Sequence, residues 1–170
     1  ANRFLGEQPN VVFIGQITVY PGSVMSTSFM NEVPREKRIE LPTFENTQMG
    51  MSIGLALAGH IPVSLYPRWN FILLAVSQLA NHLDKMSIMS NGGYQPKVII
   101  RTGIGSVRPM HPQFQHVGDY TEAFRLMCPN IEIIRLEEPE DIFPAYQKAL
   151  ERADGKSTIL VEYGDYYNEK

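Results

Sequence analysis

Short apolar runs rich in β-branched residues alternate along this chain with longer stretches of helical periodicity. The runs cover residues 11–14, 61–65, 97–100, 131–134 and 158–161, and a further strand-like run ends near Pro42. Between them, residues 49–58, 70–86, 120–127 and 140–152 are long enough for helices, with Asn70 and Asp119 placed as N-caps. Such alternation predicts an α/β fold of three αβα layers around a mostly parallel sheet. Its crossovers should be right-handed, and its functional loops should lie at the carboxyl ends of the strands. Gly, Pro and Asn in residues 90–96 and 101–112 punctuate the elements rather than divide domains.

Composition narrows the picture. A chain of 170 residues that is 44% hydrophobic can bury one sizeable core, so a single domain is expected. A net charge of −3, with Lys and Arg scattered, argues against a nucleic-acid binder. The lone Cys128 cannot form an intrachain disulfide or a thiol pair for zinc, which points to a reducing compartment, the cytoplasm. The uncharged stretch of residues 46–67 is interrupted by Gln, Ser, His and Pro, so no membrane span is expected.

Within residues 41–59 Glu45 is the sole charged side chain. It should sit at a strand-to-helix junction, partly out of water, a setting that raises a carboxyl pKa. Gly50, Gly54 and Ala58 then recur at every fourth position and give the following helix a face almost without side chains. Glycine is costly inside a helix, so this face predicts close approach, either to the chain's own sheet or to another subunit. Tyr66, Trp69 and Phe71 follow a strand directly and could serve the core or clamp a ring. Arg68 among them reads as a solvated charge. His111 and His116 fall in a Gly/Pro-rich loop after the strand at 97–100, where polar catalytic groups are usually found. Their spacing fits no helical metal pair, so proton donation or hydrogen bonding is expected and metal ligation is not. There is no P-loop, no G-x-S-x-G elbow and no dinucleotide fingerprint, so nothing here is suited to gripping a diphosphate.

Taken together, these residues resemble the pyrimidine-binding domains of thiamine diphosphate enzymes, in particular the beta subunits of 2-oxoacid dehydrogenases and, more distantly, transketolases. Glu45 stands fourteen residues before Gly59, and G-L-A-L-A-G is intact from Gly54. W-N-F from Trp69, M-S-N-G-G from Met89 and C-P-N-I-E-I-I from Cys128 follow in the family's order. The resemblance implies a single pyrimidine-binding domain over residues 1–170, with neither a C-terminal transketolase-type domain nor a diphosphate-binding domain in this chain. It implies that Glu45 hydrogen-bonds the aminopyrimidine of thiamine diphosphate and promotes its imino tautomer, that Phe71 packs on that ring, and that Trp69 supports Phe71. His116, and after it His111, would donate a proton to the substrate or orient an acyl-accepting arm. The magnesium and diphosphate would be held by an alpha-type partner, in a heterotetramer built on the Gly50, Gly54 and Ala58 face, acting on a 2-oxo acid or ketose.

Three departures bear on these expectations. Gln16, in G-Q-I-T, stands where members often carry an acid; Pro112 and H-V-G-D from His116 alter the histidine loop; and the G-D-G segment of the diphosphate site is absent. A transketolase-like or decarboxylating half would use the same cofactor. A non-catalytic module that keeps the fold, or an unrelated domain in which Glu45 merely caps its helix, are the readings from other classes.

Overall fold

Six strands lie side by side in the order β2-β1-β3-β4-β6-β5, every neighbouring pair parallel. They are β1 (Val11–Gly15), β2 (Arg38–Glu40), β3 (Ile61–Tyr66), β4 (Ile99–Ile104), β5 (Glu132–Leu136) and β6 (Thr158–Tyr163). The computed structural model describes residues 1–22, 24–105 and 111–168, and the statements below refer to these. A buried parallel strand needs apolar residues on both faces. Accordingly, Val63 and Leu65 of β3 and Leu160 of β6 enter one apolar cluster, while Tyr66, Ile159 and Val161 enter the other.

Helices α1 (Asn2–Glu7), α2 (Val24–Thr27) and α7 (Pro139–Glu151) cover the first face. The second is covered by α3 (Glu45–Leu57), α6 (Thr121–Met127) and a long helical run from α4 (Trp69–Ile72) to α5 (Met86–Met89). The three-layer αβα arrangement anticipated from the alternation is therefore present.

Several local expectations are corrected. The helix expected at 70–86 is one path of changing pitch: 3₁₀ winding at Leu73–Ala75, then π winding at Ser77–Leu83, where Asp84 N donates to Leu79 O. The wider winding keeps Leu79, Ala80 and Leu83 facing the sheet. Asn70 lies inside this run, and Arg68 precedes its first residue. Asp119 does perform a cap's work, since its Oδ1 accepts from Thr121 N at 2.9 Å, although Tyr120 stands between it and the helix. The strand expected at 97–100 begins at Ile99 and continues to Ile104. Helices α1 and α2, six and four residues long and too short to show a periodicity, complete the first face.

Strand order sets where a site can form. β2 lies to one side of β1, and β3 lies to the other, so the chain reverses its direction of growth at the β1/β3 boundary. In open parallel sheets the crevice above the carboxyl ends at such a reversal is the usual ligand position. The helix that crosses from β2 to β3 is α3, and its first residue is Glu45.

Candidate functional site

Glu45 is 4% exposed, more deeply buried than the sequence suggested, and opens α3 without any side-chain cap. A carboxylate in the first turn is favoured by the unpaired N–H groups there. Its Oε1 accepts from Gln16 Nε2 at 3.2 Å, at the end of β1. Its backbone carbonyl accepts from the Tyr66 hydroxyl at 3.3 Å, at the end of β3. Glu45 thus spans the reversal point, and its Oε2 accepts no hydrogen bond from any described residue. Burial pushes the Tyr66 hydroxyl well above its ordinary value, and the Glu45 charge adds to that shift.

Below Glu45 a buried polar ladder seats α3 on β3. Gln48 Nε2 donates to Leu65 O at 2.8 Å and to Ser64 Oγ at 3.2 Å, and Ser52 Oγ reaches Ser64 Oγ at 3.0 Å. Gly15 makes this closeness possible: a Cβ there would fall 2.8 Å from Leu65 O and 3.3 Å from Gln48 Nε2. The turn after it is clamped by Glu40, whose carboxylate accepts from Ile17 N at 2.7 Å, Thr18 N at 2.6 Å, Val19 N at 3.0 Å and Thr18 Oγ1 at 2.9 Å. These bonds hold Ile17 at φ +54, a left-handed conformation that a β-branched residue resists at a cost of about 1–3 kcal/mol. Partial burial would raise the Glu40 carboxyl, but the bonds from Thr18, Ile17 and Val19 outweigh it and hold the carboxyl below its ordinary range.

After β3, Phe71 is half-buried, and its ring lies 5.4 Å from that of His116. His116 is also half-buried, and its Nδ1 has no partner among the described residues. Arg68 is not a solvated charge. Its Nη1 donates to Gly105 O at 2.7 Å and His116 O at 3.0 Å, tying the two ends of the loop after β4, and burial lowers its pKa against the opposing pull of Asp165. Asn70 Nδ2 adds bonds to Gln115 O at 2.7 Å and the Tyr120 hydroxyl at 3.1 Å. His111 is exposed, with its Nδ1 accepting from Gln113 N at 2.9 Å. Trp69 is fully buried against Phe124, ring centres 4.7 Å apart.

The small-residue face of α3 does not pack on the chain's own sheet. A Cβ at Gly54 would meet nothing within 4 Å, one at Gly50 would make only ordinary contact with Gln78, and Gly54 and Ala58 are exposed. Among the described residues no group of three His, Cys, Asp or Glu side chains could hold a metal, and no helix is long and apolar enough to cross a membrane.

An all-parallel αβα sheet with a buried glutamate at its reversal point places this chain among the open, doubly wound α/β domains. The model of the transketolase pyrimidine-binding domain family matches residues 1–168, and the chain belongs to that family. It is 27% identical to the pyruvate dehydrogenase E1 component subunit beta of Gracilaria tenuistipitata var. liui, over 89% of this chain and 46% of that protein. It is 33% identical to the same subunit of Chaetosphaeridium globosum, over 77% of this chain and 40% of that protein. The chain therefore spans less than half the length of these relatives. A solved structure described as a split gene transketolase, inactive beta4 tetramer, superposes with a TM-score of 0.73 at 18% identity, over 96% of this chain and 48% of that one. At that identity the match speaks for the fold.

The sequence signalled Glu45, Phe71 and the histidines by type and position. It gave no sign that Glu40 reaches back to the 17–19 turn, nor that Arg68 closes the loop, because both partners are backbone atoms distant along the chain.

Proposed function

We propose that this chain is the pyrimidine-side half of a thiamine diphosphate-dependent enzyme that cleaves a 2-oxo acid, working with an alpha-type subunit or domain that holds magnesium and the diphosphate. The observation that carries this reading is Glu45 itself: a nearly dry carboxylate at the strand reversal, with Oε1 held by Gln16 and Oε2 left without a donor among the described residues. A carboxylate in that state fits a ring nitrogen that brings its own proton. The half-buried ring of Phe71, beside His116, fits a flat heterocycle. When bound, thiamine diphosphate supplies the carbon nucleophile and the electron sink for cleavage beside a carbonyl.

This chain's own residues then have distinct roles. Glu45 exchanges a proton with the pyrimidine ring, Phe71 excludes water from one ring face, and His116 offers an imidazole nitrogen toward substrate from a loop that Arg68 and Asn70 hold. His111, nearer the loop's middle, is the second candidate for proton delivery. We assign the open Gly50, Gly54 and Ala58 face to a subunit interface in a heterotetramer. The buried, free Cys128, whose thiol burial pushes up to about 12, agrees with a reducing compartment, in our reading the cytoplasm.

The test is Glu45→Gln in the reconstituted complex, followed by deuterium exchange at the cofactor's thiazolium carbon. Loss of a positioned acid–base group should slow exchange by about 10²–10⁴-fold while the subunits still assemble. Exchange at the wild-type rate would end this reading.

A further inference from the structure

Gln16 holds the catalytic carboxylate, and its chemistry suits a group that changes protonation state. Its Nε2 donates to Glu45 Oε1 at 3.2 Å, while its Oε1 accepts from Thr43 Oγ1 at 3.3 Å. An ionised carboxyl offers only lone pairs, so it needs the amide's NH₂ side. A protonated carboxyl carries a donor and would be met by the amide oxygen after a half-turn about the last side-chain bond. The Thr43 hydroxyl either donates or accepts, so it can partner both amide orientations. A carboxylate in place of Gln16 would have no donor for ionised Glu45 and would repel it.

The amide is also delivered from a fixed base. It projects from the residue between Gly15, where no side chain fits, and Ile17, whose left-handed conformation is clamped by the Glu40 carboxylate. Two charged side chains hold the backbone of this turn: Glu40 accepts its N–H groups, and Arg38 Nη1 donates to Thr18 O at 3.3 Å. Among the described residues of the turn, it is the neutral amide of Gln16 that bonds the Glu45 carboxyl.

We propose that Gln16 is a positioning residue for Glu45, an amide that keeps the carboxyl group in one place through both of its protonation states, with Thr43 as its orienting partner and Glu40 as the anchor of its turn. The inference rests on the role given to Glu45 above.

The assembled complex carrying Gln16→Met, Gln16→Glu, Thr43→Val or Thr43→Ser provides the test. Thiazolium hydrogen exchange and cofactor affinity are measured, and crystals of the cofactor-free complexes report the Glu45 side chain. Gln16→Met should slow exchange by about tenfold, the worth of one charge-assisted hydrogen bond, with cofactor affinity changed less than about threefold. Gln16→Glu, of the same size, should be the slower of the two near neutral pH. Its defect should shrink as pH falls and one proton becomes shared between the two carboxyls, a recovery that Gln16→Met cannot show. Thr43→Val should show a smaller slowing, and Thr43→Ser should restore the wild-type rate. Without cofactor, Glu45 should occupy one position in the wild type and several in Gln16→Met. If Glu45→Gln slows exchange but both Gln16 variants exchange at the wild-type rate with Glu45 unmoved, this proposal alone falls. If Glu45→Gln has no effect either, the reading of the site falls with it.

Discussion

Gly54 separates what this chain's fold needs from what the proposed assembly needs. Replacing it with Ala or Leu places a Cβ into open space, because no atom lies within 4 Å of the position it would take. In the isolated chain the only consequence is helical propensity, since Gly54 lies inside α3, and the gain should be about 1 kcal/mol for Ala and slightly less for Leu. The surroundings suit an interface: Met51 and Leu57 of α3 and Leu74 on the adjoining 3₁₀ turn are exposed apolar residues. If another helix lies against this stripe, an inserted Leu overpacks a close contact at about 1–3 kcal/mol, and in a two-fold interface the insult occurs twice. The expected loss is then about 2–6 kcal/mol, or roughly 30-fold to 10⁴-fold in assembly constant. Urea unfolding of the chain should show a raised midpoint, while sedimentation of the Gly54→Leu chain with the proposed alpha-type partner should show dissociated species. An assembly constant within about threefold of wild type would refute the reasoning and leave the exposed glycines without an interface.

Other perturbations probe the scaffold under the site. Arg101 and Glu162 form a bidentate pair at 2.8 and 2.9 Å, both nearly fully buried, with the Tyr146 hydroxyl also donating to Glu162. Arg101→Met should cost about 3–5 kcal/mol in urea unfolding, whereas Arg101→Met with Glu162→Met should recover most of it; equal losses would show that packing, not the pair, is responsible. For Glu40 the folded carboxyl lies below its ordinary value of 4.5, so its stabilisation is complete above that value and is lost as pH falls through the lower folded value. The stability difference between wild type and Glu40→Gln should therefore be constant near neutral pH and vanish in acid, and a difference that grew in acid would contradict the clamp.

Legibility followed distance along the chain. Strands β1, β3, β5 and β6 were readable because a doubly covered parallel strand needs a local apolar run, and Val11, Val63 and Leu160 supply it. Glu45 was readable for the opposite reason, as one charge in a stretch that otherwise has none. The change of winding between Leu73 and Leu83 had no local mark, since apolar residues at helical spacing look alike whether the pitch is tight or wide. Arg68 looked like a surface charge because its acceptors, the carbonyls of Gly105 and His116, belong to every sequence alike. The same blindness covered Gln16. Its departure from the family's acid was visible as a difference in type, but its meaning depends on Glu45 lying 3.2 Å away, 29 positions later. Side chains announce what they can do, and the fold decides what they meet. A site assembled across a strand reversal is therefore most readable at the residue that breaks the local pattern, and least readable at the residues that hold it still.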